Sequence, residues 1–123
     1  MSARVYVCPV EKEGELKKML EYDPYLDPKI KEEDLKKIRE DEMANIIFAR
    51  QDYVIKEGAS ISLDPSKCYL FLNAQDSFLD KAEKKLKNIE GLKRAEPDIE
   101  SKVIMLVEDE RRKADEGFGS IFG

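Results

Sequence analysis

Two segments of this chain carry apolar side chains on both of their alternating faces, and they constrain the fold more than any other feature. Residues 4–10 (RVYVCPV) and residues 68–72 (CYLFL) combine β-branched, aromatic and aliphatic side chains. A strand that is apolar on both faces belongs in the interior of a sheet. The sequence therefore predicts that these two strands lie at the centre of one sheet, with Pro9 marking the end of the first.

Apolar residues at helical spacing predict three helices around these strands. The first covers residues 11–21, and the second covers residues 28–43 with Asp27 as its N-cap. The third covers residues 77–91, and Gly91 is its C-cap. The second helix is nearly all charge, with a thin apolar stripe, so we expect it to lie on the outside.

The remaining segments complete an α+β order. Residues 45–63 predict two or three short strands, and residues 102–107 (KVIMLV) predict the last strand, which a short polar helix follows. This succession is close to the βαββαβ order of a ferredoxin-like two-layer sandwich with an elaborated middle region and a C-terminal tail, in which the first and third strands pair at the centre. We divide the chain into a single α+β domain, residues 1–116, and an apolar docking tail, residues 117–123.

The tail follows a run of charge and contains three large apolar residues, Phe118, Ile121 and Phe122. Chain ends fray unless they are held by contacts, and exposed apolar groups favour burial. We therefore expect these three side chains either to close the protein's own core or to insert into a partner. Together with aromatic residues of the sheet, they are the candidate partner-binding residues.

Composition narrows the function classes. The chain of 123 residues has 40% charged residues, a net charge of −5 and no histidine. High Lys and Glu content with few amides is typical of thermophilic proteins. The lack of histidine disfavours acid–base catalysis, which would need a perturbed carboxylate, cysteine, lysine or tyrosine. No signal peptide or membrane-spanning run is apparent, so the sequence predicts a cytoplasmic protein with reduced thiols.

The sheet aromatics are the other candidate binding residues. If Val5 and Val7 face the helices, Tyr6 lies on the open side of the sheet, where Tyr69 and Phe71 are also expected. Because large exposed apolar patches are uncommon in monomers, we expect these three rings to be covered by residues 45–63, by the tail or by a second subunit. A second subunit would make a symmetric homodimer.

The two central strands also carry a family resemblance. Residues 4–10 resemble the first-strand motif of RNA-recognition-motif domains, and residues 67–72 resemble their third-strand motif. In that family the ring positions stack bases, which would make the open sheet face an RNA-binding surface. The third-strand motif has glycine where this chain has Cys68, and an aromatic residue at the position of Ala74. The acidic net charge opposes nucleic-acid binding, because affinity for nucleic acids comes largely from phosphate neutralisation.

The cysteines and carboxylates predict no cofactor and no metal site. Cys8 and Cys68 are expected on opposite faces of adjacent strands, where they would not form a disulfide. Nucleotide-binding and metal-binding motifs are lacking in the sequence, and carboxylate pairs such as Asp76 and Asp80 are typical of a solvated surface.

The sequence therefore favours a small binding or accessory protein that acts by self-association or as a subunit of a larger complex. An RNA-binding module on the open sheet face and a small enzyme with a perturbed carboxylate or lysine are the alternatives. The sequence predicts no catalytic residue, and it leaves any small-molecule ligand open.

Overall fold

Over the residues that the structure describes, the protein is an α+β protein with a four-stranded antiparallel sheet and four helices. The computed structural model describes the backbone of residues 1–122 and the side chains of residues 1–116. Short 3-10 turns occur at Val10–Lys12, Phe48–Arg50 and Gly58–Ile61. The strands and helices follow the order β1 (Ser2–Pro9), α1 (Glu13–Glu21), α2 (Glu32–Glu40), β2 (Asp52–Glu57), β3 (Lys67–Ala74), α3 (Asp76–Leu86), β4 (Lys93–Arg94) and α4 (Pro97–Phe122).

The two doubly apolar strands form the centre of the sheet, as the sequence predicts. The strand order is β2-β3-β1-β4, and every neighbouring pair is antiparallel. In the β1–β3 register Val5 lies opposite Phe71, and Tyr6 lies opposite Leu70. Residues directly opposite each other share a face of the sheet, so this register fixes which side chains lie together.

One face of the sheet is covered by α1 and α3, and we call it the α1/α3 face. Leucines at helical spacing on both helices are buried against it, because one side of an amphipathic helix must leave water. The main members of this core are Leu16 and Leu20 of α1, Leu79 and Leu86 of α3, and Leu70 and Leu72 of β3.

The α2 helix lies on the outside, as its charge predicts. It is shorter than the predicted residues 28–43, and none of its side chains is fully buried. Asp27 caps a turn rather than the helix, since its Oδ1 accepts the Lys29 amide at 2.9 Å. Tyr25 contacts the segment around α2, since the guanidinium groups of Arg39 and Arg50 lie 5.6 and 4.9 Å from the centroid of its ring.

Two predicted strand regions are wrong. Residues 102–107 belong to α4, in which Val103 and Val107 are buried one helical turn apart while Met105 is 69% exposed. A short apolar run fits a strand and a buried helix equally well. Residues 45–63 contribute one strand, β2, and otherwise form turns.

We expect Gly58→Ala to lower the free energy of unfolding by about 1–3 kcal/mol. A Cβ at Gly58 would overlap the backbone carbonyl of Asp64, and backbone cannot move aside as a flexible side chain can. Gly14→Ala is the matched control, because Gly14 lies in α1 with open space around the new methyl group. Alanine there should raise the free energy of unfolding by about 0.5–1 kcal/mol. Urea denaturation measures both, and equal effects of the two substitutions would contradict the close approach at Gly58.

Candidate functional site

The second face of the sheet is covered by α4, and we call it the α4 face. Tyr69 and Phe71 are 4% and 2% exposed, and they pack in one cluster with Val5 and with Val103 and Val107 of α4. Ile61 and Leu63, which lie between β2 and β3, pack against the same cluster. Tyr69 and Phe71 thus lie on the predicted face, which α4 and part of residues 45–63 cover.

Tyr6 lies on the α1/α3 face, so the prediction that it shares a face with Tyr69 and Phe71 is wrong. Because Val5 pairs with Phe71, the neighbouring Tyr6 must point the other way. Tyr6 is buried there, and its hydroxyl donates a hydrogen bond to Glu83 Oε2 at 3.3 Å. Burial, together with the negative charge of Glu83, raises the pKa of Tyr6 to about 12. The phenol therefore stays protonated and acts as a structural donor.

Glu83 belongs to a small ionic cluster at the edge of the α1/α3 face. Arg4 of β1 contacts Glu83 at 3.0 Å and Asp80 at 2.9 Å, so its guanidinium ties the central strand to α3. Asp80, which the sequence analysis assigned to a solvated surface, thus has a basic partner distant in sequence. Glu83 and Asp80 each accept a hydrogen bond from Arg4, and the arrangement is that of a structural tie.

The N-terminal part of α4 is fixed by Glu100. Glu100 Oε2 accepts the backbone amide of Val5 at 3.0 Å, and its two oxygens accept both arms of Arg94 at 2.8 and 3.0 Å. Burial alone would raise the pKa of Glu100, but the hydrogen bonds from Arg94 and Val5 outweigh it and hold that pKa below its usual value. The carboxylate therefore joins β1, β4 and α4 while it is ionised.

The middle of α4 is fixed to the edge strand β2 by two ion pairs. Arg111 makes a two-armed contact with Asp52 at 2.9 and 2.7 Å, and Lys56 contacts Glu110 at 2.8 Å. The Arg111 guanidinium also lies 5.3 Å from the centroid of the Phe71 ring, where the positive charge meets the negative face of the aromatic system. These contacts close the α4 face above Phe71.

Beyond Arg111 the helix has no such anchor among the side chains that the structure describes. Residues 112–116 are all exposed, and α4 continues through Phe122. The predicted docking residues Phe118, Ile121 and Phe122 lie outside the residues whose side chains are described, so their docking stays a prediction. Partner binding through Tyr6, Tyr69 and Phe71 also stays a prediction, and it would require that a covering helix move away.

An open, shallow surface follows the outer side of α4, and we call it the groove although all of its described lining residues belong to this one helix. It extends from Asp98 to Arg112 and includes Met105 and Leu106. Met105 is among the most exposed large apolar side chains of the described part of the chain. The groove combines an apolar middle with charged ends, which is a composition suited to a protein partner.

The two cysteines lie on the same face of the sheet, so the prediction that they occupy opposite faces is wrong. Cys8 lies directly opposite Cys68 in the β1–β3 register, and their Sγ atoms are 3.1 Å apart in the core of the α1/α3 face. The hydrogen bond between the thiols lowers the pKa of Cys8, whereas the same hydrogen bond and burial raise the pKa of Cys68.

The enzyme alternative has one perturbed lysine to build on. Burial lowers the pKa of Lys85, whose Nζ donates to the carbonyl oxygen of Ile46 at 3.1 Å. Lys85 does not line the groove along α4, so the structure does not join it to that concavity.

Among residues 1–116, no three acidic or thiol side chains converge as a metal site would require. No helix in the described part of the chain combines the length and apolarity needed to cross a bilayer.

Comparison of the chain with protein-family models found no match, and searches among curated proteins and among solved structures found no similar chain either. Functional arguments about this protein therefore rest on its own residues.

We expect Phe71→Ala to cost about 3–5 kcal/mol in the free energy of unfolding, because the substitution empties the centre of the α4 face. Leu26→Ala is the control, since Leu26 is an exposed apolar side chain. Chemical denaturation of both variants measures the difference. The RNA-binding alternative instead requires that a Phe71→Ala protein stay as stable as the parent while losing RNA retention, so an unchanged unfolding midpoint would contradict the covering by α4.

Protonation of Glu100 should weaken the attachment of α4. Because its folded pKa lies below the unfolded value, the stabilisation is complete above the unfolded pKa and is lost as the pH falls through the folded pKa. We expect Glu100→Gln to lower the free energy of unfolding by about 1–2 kcal/mol at neutral pH and by progressively less below about pH 4.5.

Urea unfolding measured at several pH values tests this expectation, with Glu90→Gln as the control at an exposed carboxylate. A constant difference between Glu100→Gln and the parent at all pH values would show that the charge of Glu100 contributes nothing.

Proposed function

We propose that this protein is a small binding protein that acts by self-association, and that the distal part of α4 is its docking element. The observation that carries the proposal is that α4 continues for eleven residues after the last contact with the sheet that its described side chains make. Its last buried residue among those described is Val107, and its last anchor to the sheet is Arg111, yet the helix continues to Phe122.

The distal part of α4, residues 112–122, is long enough to reach another molecule. Eleven residues follow Arg111 in the helix, which at 1.5 Å per residue is about 16 Å. These residues continue a helix that the packed part of α4 nucleates, and most helical stability in proteins comes from the packing of an apolar face. A partner surface would supply that packing.

The sequence of the distal part of α4 fits a docking role. Phe118, Ile121 and Phe122 follow the spacing i, i+3, i+4, which is the spacing of one helical face. Such anchors are typical of helices that insert an apolar face into a groove. The groove beside Met105 is the acceptor that we propose, and it would lie on a second copy of the chain.

A second copy is favoured as the partner because one chain carries both parts of the contact. Donor and acceptor lie on the same helix, so two copies could exchange them about a two-fold axis. The tail is free of charged residues, and the middle of the groove is apolar, so the contact would bury little unpaired charge. A role as a subunit of a larger complex would use the same docking element.

We further propose that the fold is ferredoxin-like. The strand order β2-β3-β1-β4 with antiparallel neighbours and the succession βαββαβ support this assignment, once α2 is taken as an insertion and α4 as an addition. The location in the cytoplasm and the thermophilic origin that the composition favours are likewise proposals.

Light scattering of the full chain and of a version ending at Glu116 tests the function. We expect the full chain to be a dimer and the truncated chain to be a monomer that retains its circular dichroism signal and its thermal unfolding transition, because the truncation removes no described buried side chain. The triple variant Phe118→Ser, Ile121→Ser and Phe122→Ser should dissociate in the same way at unchanged length.

Lys113→Ala is the control, since Lys113 is exposed on the same helix and contacts Asp109 only one turn away. It should leave the dimer intact, whereas Met105→Ser should weaken dimerisation if the groove is the acceptor. Monomers in all preparations, or a dimer that survives the triple variant, would overturn the proposal.

A further inference from the structure

The buried cysteine pair offers a chemistry that the proposed docking role does not use. Cys8 and Cys68 are 1% and 0% exposed, and they face each other across the two central strands with their Sγ atoms 3.1 Å apart. We propose that this pair is a modification site at which a low-molecular-weight disulfide, such as an oxidised thiol peptide, converts the two thiols into an intrachain disulfide. The bridge would fasten β1 to β3.

The backbone geometry of the pair matches that of a disulfide. The Val10 amide donates to the Ser66 carbonyl at 2.8 Å, and both residues continue the β1–β3 register by one step beyond its last rung. Antiparallel rungs alternate between hydrogen-bonded and non-hydrogen-bonded pairs, so two rungs away Cys8 and Cys68 form a hydrogen-bonded pair. Such pairs have a Cα separation of about 5.5 Å, which lies inside the range of about 4.4–6.8 Å that disulfides use.

The direction of the side chains matches as well. Cys8 and Cys68 both point into the α1/α3 core, and the direct thiol contact shows that the two sulfurs already meet. Bond formation requires that the sulfurs approach by about 1 Å more, since a disulfide bond is about 2.0 Å long. Rotation of the two side chains supplies part of that movement, and a small approach of the two strands brings the Cβ atoms to the separation of about 3.5–4.5 Å that a disulfide needs.

The reaction balances as two thiol–disulfide exchanges. The Cys8 thiolate attacks one sulfur of the reagent RSSR, the reagent S–S bond breaks, and one RS⁻ leaves. The Cys68 thiolate then attacks the Cys8 sulfur of the mixed disulfide and expels the second RS⁻. The two leaving thiolates take up the two protons that the cysteines lose, so the protein is oxidised by two electrons and one RSSR becomes two RSH.

Access to the buried sulfurs has a physical route at the end of the strands. Cys8 is followed by the last residue of β1, and Cys68 lies opposite Glu57, the last residue of β2. Strand ends open locally at lower cost than the middle of a sheet, and the pair is also accessible while the chain folds.

The bridge would act on stability because it closes a long loop. Between Cys8 and Cys68 the chain contains α1, α2 and β2, so the bond would restrict about half of the unfolded chain. Loop closure of this length predicts a rise of about 10 °C or more in the midpoint of thermal unfolding.

Refolding the reduced chain from denaturant with oxidised glutathione tests the proposal. The products are alkylated with iodoacetamide under denaturing conditions and their intact mass is measured. We expect a chain that has lost two hydrogens and takes up no alkyl group, with a thermal midpoint about 10 °C above that of the reduced protein and a return to the lower midpoint after dithiothreitol.

The single variants Cys8→Ala and Cys68→Ala are matched controls whose thermal midpoints should not respond to oxidised glutathione. Three results for the parent chain would overturn the proposal. The chain could still take up two alkyl groups, it could stop as a glutathione adduct, or it could form a disulfide with a second chain. An intrachain bond that lowers the thermal midpoint would overturn it too, because the native geometry would then not accommodate the bridge.

Discussion

The antiparallel pairing of β1 with β3 determines where the other elements can lie. Successive central rungs place apolar side chains on alternate faces, as Val5 and Phe71 do on one face and Tyr6 and Leu70 on the other. Both faces of such a sheet must be covered, because apolar side chains are more stable when they are removed from water. The α1 and α3 helices meet the first requirement and α4 meets the second, so the sheet is enclosed between helices on both sides.

The second cover differs from the first in how it is attached. The α1 and α3 helices contribute leucines to a broad core, whereas α4 contributes two buried valines and two partly buried isoleucines, Ile99 and Ile104, and is also attached by ion pairs at the edges of the sheet. Glu100 and Arg111 lie about three turns apart on α4 and contact β1 and β2 respectively. Exposed ion pairs contribute less stability than apolar burial, and salt screens them. The attachment of α4 to the sheet therefore depends more on pH and salt than that of α1 and α3.

The sequence predicts the centre of the sheet but not its faces, and the reason is physical. In β1 and β3 both alternating sets are apolar, so alternation does not reveal that Tyr6 shares a side with Cys68. Residues 102–107 form a run too short for periodicity to separate strand from helix, and β4 consists of two charged residues without an apolar signal. The anchors of α4 escaped prediction because Asp52 and Arg111 are 59 positions apart, and no local pattern joins them.

The short length of β4 gives Glu100 an unusual role. One residue beyond Arg94, the Ala95 amide still donates to the Val5 carbonyl at 2.9 Å, whereas the Val5 amide is met by the Glu100 carboxylate. An unpaired amide at a sheet border is a template for another chain, and natural proteins cover such positions with charged groups. Glu100 therefore takes up the one Val5 donor with an ionised side chain, so that this amide of β1 is not offered to another strand.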